Sequence, residues 1–178
     1  MNMKSLIPEK SLADDIMATR LWFDREVASI ADPRRQLMLA RYRDHWWCEV
    51  IGDLEGVMAT MAPNPKYRAY GSDVFGEFLI DTTEETEKFY RALFASGFYP
   101  AGPFTETRYA LADWGLMIEA INTAIIPGSF FPALSLEPNT AYKASWRLVG
   151  IHPFDENCLM EAEILYVGRP YDLTVVTR

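Results

Sequence analysis

The chain reads as an α+β protein, helices first and strands after. The N-terminal half carries apolar residues at steps of three and four, the period of amphipathic helices. Past Gly102 the period drops to two. FTETRYALA, GLMIEAINTAII, AYKASWRLVGIH and CLMEAEILYV then follow one another, separated by turn signals at Asp113, Pro127-Gly128, Pro138-Asn139 and Pro153 through Asn157. Helices that precede a run of antiparallel strands gather on one face of the sheet. A curved, mainly antiparallel sheet wrapped around a long helix is the expected architecture.

Each element has a local reason. Residues 11–31 mix Ile16, Leu21, Val27 and Ile30 with acids, which predicts a helix. Asp32-Pro33 opens the next one, with Asp as N-cap and Pro at the first helical position. From there Leu39, Tyr42, Trp46 and Val50 form one buried stripe. Gly52 can end this helix in a left-handed conformation, and Asp53 can cap a short helix through Met61. KYRAYG and GEFLI, around Gly71-Ser72-Asp73, read as short strands or a strand with a covering loop. Thr82-Thr83-Glu84-Glu85 is a capping box for a helix that carries Phe89, Tyr90, Leu93 and Phe94 and stops at Gly97.

At 178 residues the chain fits one domain, divided into a helical N-terminal extension over 1–32 and a main domain over 33–178. Nearly half the residues are hydrophobic and 13% are aromatic, enough for a core without disulfides or metal. The net charge of −8 argues against sequence-independent binding to nucleic acid or an anionic membrane. No stretch approaches the ~20 apolar residues of a membrane span, and MNMKSLIPEKS lacks a signal-length apolar core. A cytoplasmic location is expected, with Cys48 and Cys158 as free thiols. His45, His152, Cys48 and Cys158 show no paired ligand spacing, so no metal is expected. Nucleotide, serine-hydrolase and zinc-protease motifs are missing too, so no cofactor is expected.

His45, on the margin of the buried stripe beside Trp46 and Trp47, is the candidate chemical group. Histidine titrates near neutral pH, and at an apolar edge it suits acid–base work on a small molecule. Its helical neighbours Arg41 and Glu49 act on its charge in opposite directions. Tyr90, Tyr70, Asp113 and Glu119 are possible partners if their elements face inward. Alternation turns Glu161 and Glu163 outward, opposite Met160, Ala162, Ile164 and Tyr166, and leaves Arg147 outside as well. Glu119 and Asn122 fall on opposite faces of one strand, and alternation does not say which is inside. In the loop GSFFPALSLEPN, the residues Phe130, Phe131 and Leu134 could cover a pocket mouth or simply pack.

The junction Val50-Ile51-Gly52-Asp53-Leu54-Glu55, the FYRAL run from Phe89 to Leu93 and the four strands in order resemble the NTF2-like superfamily. That group includes ketosteroid isomerases, scytalone dehydratase, SnoaL-type cyclases and limonene epoxide hydrolases. The resemblance covers roughly residues 33–168. It implies a cone-shaped α+β fold with a deep apolar pocket, and a homodimer through the outer sheet face. It puts His45 where the isomerases carry a tyrosine that donates to the substrate carbonyl, and Tyr90 where they carry a supporting tyrosine. The isomerase base should fall near Ala69 or Tyr70, and neither can be that base.

The reading that follows is a cofactor-independent dehydratase, isomerase or cyclase acting on a hydrophobic oxygenated small molecule of polyketide, terpenoid or steroid type. His45, Tyr90 and Tyr70 are its candidate catalytic residues. Trp46, Tyr67, Phe78, Phe89, Tyr109, Glu119 and Trp146 are its candidate substrate contacts. The alternative is a non-catalytic ligand-binding or dimeric scaffold module. The interior separates the two. A carboxylate or tyrosine within hydrogen-bond reach of His45 favours the enzyme, and a space filled by Trp and Phe favours the scaffold.

Overall fold

The computed structural model describes residues 10–71, 77–99, 103–130 and 132–176. Helix α1 (Lys10–Ser29) runs into α2 (Pro33–Ile51), and α3 (Leu54–Ala59) follows. Strands β1 (Met61–Tyr70) and β2 (Phe78–Ile80) lead to α4 (Thr83–Ala95). Then come β3 (Phe104–Ala112), β4 (Gly115–Pro127), β5 (Ala141–Pro153), β6 (Met160–Val167) and β7 (Tyr171–Val175). The seven-stranded sheet has the order β2-β1-β6-β5-β4-β3, with β7 on β5, and β1–β6 is its parallel pairing. This is the expected α+β arrangement. Among the described residues no helix is long and apolar enough to cross a membrane.

The caps work as their residue types dictate. Asp32 accepts from the Arg35 N–H at 2.8 Å, and Pro33 follows it. Gly52 closes α2 in the left-handed region at φ 69° and ψ 30°. Asp53 then accepts from the Gly56 N–H at 3.0 Å and starts α3. Thr82 accepts from the Glu85 N–H at 3.2 Å, while Glu85 accepts from the Asp81 N–H at 3.1 Å.

The stripe on α2 packs as its spacing requires. Met38, Leu39, Tyr42, Trp46 and Val50 are buried, and Leu12, Ile16 and Phe23 of α1 join the same core. On β5, Tyr142, Ala144, Trp146, Leu148 and His152 are all buried and Arg147 is exposed, as alternation predicts. On β4, Asn122 is 6% exposed while Glu119 accepts from Arg147 on the outer face. Leu134 packs against a second apolar cluster around Trp146. Ser72, Asp73 and Phe131, and the side chain of Phe130, lie outside the described residues.

Two irregularities shape the sheet. β3 slips register between Thr105 and Arg108, with Glu106 at φ 50°. β1 slips against β6 between Met61 and Lys66, with Asn64 at φ 53°. Asn64 also ties β1 to the start of α4, its N–H donating to Thr83 Oγ1 at 2.8 Å. That tie sets β1 and α4 side by side, and the same slip brings Tyr67 level with Glu163.

Candidate active site

The helix break prepares His45. After Gly52 the chain doubles back through α3, so Thr60 lies against the imidazole on α2. Thr60 Oγ1 donates to the Val57 carbonyl at 2.6 Å. It therefore meets His45 Nδ1, 2.7 Å away, with lone pairs only, and Nδ1 must carry the proton. In the neutral ring this leaves Nε2 as an acceptor, facing the interior.

Four further side chains converge on that nitrogen. Tyr90 from α4 has its hydroxyl 3.1 Å from Nε2 and donates to Glu49 Oε1 at 2.8 Å. Tyr67 from β1 has its hydroxyl 3.3 Å from Nε2 and hydrogen-bonded to the Tyr90 hydroxyl. Glu49, one helical turn after His45, lies 3.6 Å from Nε2, and Glu163 from β6 lies 3.8 Å away. His45, Tyr67 and Tyr90 are each 2% exposed or less. Acceptors outnumber hydrogens here: two phenol protons face one imidazole nitrogen and two carboxylates, and Glu163 Oε2 has the His45 ion-pair contact but no hydrogen-bond partner. A group so placed draws in a further proton.

The electrostatics agree. Burial, then the charge of Glu49, push the Glu163 carboxyl up to about 7, against the pull of His45 and Tyr67. Burial is the largest single influence on His45 and opposes its charging. The close approach of the Glu49 carboxylate and the charge of Glu163 outweigh it together and raise the pKa. Tyr67 and Tyr90 are held well above the usual phenol value, chiefly by burial and then by the carboxylates. They stay protonated and serve as donors. The imidazole and the Glu163 carboxyl are thus both shifted towards holding a proton, which suits general acid–base chemistry.

These groups form one end of a cavity of about 140 Å³. Its remaining walls are mainly Trp46, Phe78, Phe89, Phe104, Trp146 and Leu148, with Asn122 as a further polar side chain. Of the expected site residues, His45, Trp46, Tyr67, Phe78, Phe89, Tyr90 and Trp146 line it. Three lie elsewhere. Tyr70 is on the outer face against Tyr166, with ring centroids 5.5 Å apart, because it is an odd number of residues from inward-facing Tyr67. Tyr109 packs on Trp22 and donates to Glu26 of α1 at 2.8 Å. Glu119 pairs with Arg147 at 3.1 Å.

The expectation that both β6 glutamates face outward is corrected as well. Glu161 is exposed, whereas Glu163, Leu165 and Val167 line the cavity. Both faces of β6 carry apolar residues, so alternation had no means of choosing the inner one. Glu49 was visible only as a helical neighbour. His45 Nε2 and one oxygen from each of Glu49 and Glu163 lie within 4.8 Å of one another, a donor set that could also hold a divalent cation. Ligand spacing in the sequence could not reveal it, because Glu163 comes from a distant strand.

No family model matches the sequence, and no curated protein matches it. Solved structures do match in shape. The epoxide hydrolase/cyclase-like enzyme SalBIII, from pyran ring formation in the polyether salinomycin, is 10% identical with a TM-score of 0.55, over 79% of this chain and 97% of that one. An M. tuberculosis LEH-like epoxide hydrolase is 12% identical with a TM-score of 0.53, over 76% and 85%. AusH from Aspergillus nidulans is 15% identical with a TM-score of 0.53, over 76% and 86%. At such identities the likeness speaks for architecture alone. The protein has the NTF2-like cone fold.

Proposed function

We propose that this cavity is the active site of a cofactor-independent acid–base enzyme, a dehydratase, isomerase or cyclase acting on a hydrophobic oxygenated small molecule. The observation that carries the reading is His45 Nε2, turned to the interior by the Nδ1–H to Thr60 contact and set among two tyrosine hydroxyls and two buried carboxylates. In this reading a substrate C–H or O–H proton passes to His45 or Glu163, whichever is unprotonated. The other returns a proton to the departing or rearranging oxygen, and Tyr67 and Tyr90 stabilise the charge that develops there. Aromatic walls around a few convergent polar groups are the usual make-up of a small-molecule site. The enzymes SalBIII and the LEH-like hydrolase share the architecture, which is support by analogy only.

The test needs no known substrate. A panel of single-ring ketones and hydroxyketones is incubated with the protein in D₂O and followed by NMR for deuterium entering beside the carbonyl. Catalysed exchange that Glu163→Gln and His45→Ala both abolish, in folded variants, supports the reading. Exchange that never exceeds the buffer rate returns the protein to the ligand-binding alternative. The homodimer implied by the resemblance is part of the same proposal. Leu79, Met117 and Tyr166, exposed on the sheet, are apolar side chains such a contact could cover, and light scattering of the purified protein measures it.

A further inference from the structure

The charge inside the cavity selects its ligand. Among the described residues that line it, Glu49 and Glu163 are acids and none is a lysine or arginine. Two carboxylates thus face a single imidazole, and most of the remaining lining is aromatic or aliphatic. Unsatisfied acceptors point the same way. Glu163 Oε2 has no hydrogen-bond partner, and neither has Asn122 Oδ1, on a side chain only 6% exposed. Buried acceptors are costly unless a donor reaches them. One donor on a lining side chain, Trp46 Nε1, also lacks a hydrogen-bond partner.

Size narrows the choice further. A space of about 140 Å³ is close to the ~150 Å³ engineered cavity that admits benzene, so what enters is the size of one ring. The side chains of Trp46, Tyr67, Phe89 and Trp146 line that space, and aromatic rings attract cations.

We propose that the cavity recognises a small molecule bearing a protonated amine on a one-ring body, its nitrogen held between Glu49 and Glu163 against the aromatic walls, and that it rejects carboxylates. This rests on the proton-transfer reading only in using the same cavity. It adds a basic nitrogen to the oxygenated ligand expected there.

Benzylamine, benzyl alcohol and benzoate share one ring and differ in charge, so they make the probe set. Each is titrated calorimetrically into the protein at pH 7, with the wild type and with Glu49→Gln and Glu163→Gln. Benzylamine is expected to bind about thirtyfold more tightly than benzyl alcohol, the size of one desolvated cation–π contact, and benzoate still more weakly. Either glutamine variant should erase most of that preference and leave benzyl alcohol within a few-fold. A crystal structure of the benzylamine complex covers the case of a variant that does not fold. Nitrogen found between the two carboxylates supports the proposal, and nitrogen outside the cavity overturns it.

Equal binding of the three probes overturns it too. So does an amine preference that survives both variants, which would belong to the acidic surface. Manganese chloride that binds stoichiometrically and displaces benzylamine assigns the two carboxylates to a metal and also overturns it. Catalysed exchange without amine preference sinks this inference alone. Amine preference without exchange sinks the catalytic reading alone.

Discussion

The two histidines of this protein are equally buried, 1% exposed at His45 and 0% at His152, and they have opposite characters. Each ring lies near a tyrosine ring, Tyr90 at 6.0 Å and Tyr42 at 4.6 Å between centroids. His45 has a hydroxyl within hydrogen-bond distance of each ring nitrogen and is flanked by carboxylates, and its pKa is raised. His152 has no hydrogen-bond partner on either nitrogen among the described residues. Burial, then the charge of His45, push it down to about 3. Its neighbour Gly150 leaves the ring just enough room, since a Cβ there would meet Nε2 at 2.5 Å. Burial removes water equally from both, so partners alone decide which imidazole holds a proton.

The largest expected contrast is in rate. His45→Ala should slow proton exchange by about 10²–10⁴-fold, the range for one general acid–base group, while His152→Leu changes it less than about fivefold. Loss of exchange in both variants at full helicity by circular dichroism would erase the distinction.

Stability against pH should run in opposite directions in the two regions. At Glu163 the folded state holds the proton more tightly than the unfolded chain, so its contribution is present below pH 4.5 and lost as pH rises through about 7. Denaturant melts of Glu163→Gln should therefore show a flatter decline between pH 5 and pH 8 than the wild type, by a few kcal/mol. At His152 the unfolded chain binds the proton first, between its ordinary 6.5 and about 3, so stability falls as pH falls through that window. From pH 6.5 to pH 5 the loss is about 2 kcal/mol, and His152→Leu should remove that slope. A slope that persists in the leucine variant would mean that another group carries it.

The smallest effect tests the helix break. A methyl group at Gly56 would collide with the Asp53 carboxylate and the Cys48 sulfur, so Gly56→Ala should disturb the Asp53 cap. The expected cost is about 1 kcal/mol, with a loss of rate as Thr60 shifts off Nδ1. An unchanged melting midpoint would show that the cap relaxes freely.

Legibility in the sequence follows the range of the interaction. The α2 stripe, the Asp32-Pro33 start and the Gly52-Asp53 break are written in adjacent residues, and they carried His45 and Trp46 into the interior correctly. The junction also aligned His45 with Tyr90. Tyr70 and Tyr67 share one short strand, and only the position of the sheet relative to α2 decides which of them points inward. Glu163 was harder still. Its role depends on a slipped parallel pairing with β1, and a carboxylate in an alternating strand reads by default as solvated. β7 left no periodic signal that the turn residues before it could confirm.

The strand that carries Glu163 has another role. Among the described residues β6, lying between β1 and β5, is the strand that joins the β1–β2 pair to the β5-β4-β3 meander. Neither half can bond to the other until β6, which follows all the other strands of both halves in the chain, has arrived. Contacts so far apart along the chain are slow to form, because the loop entropy is lost before the pairing compensates it. Until then β1 presents an unpaired edge, the kind of surface on which chains aggregate. The carboxylate that completes the proton cluster thus enters with the strand that joins the two halves of the sheet, and a molecule that has not made that join is without it.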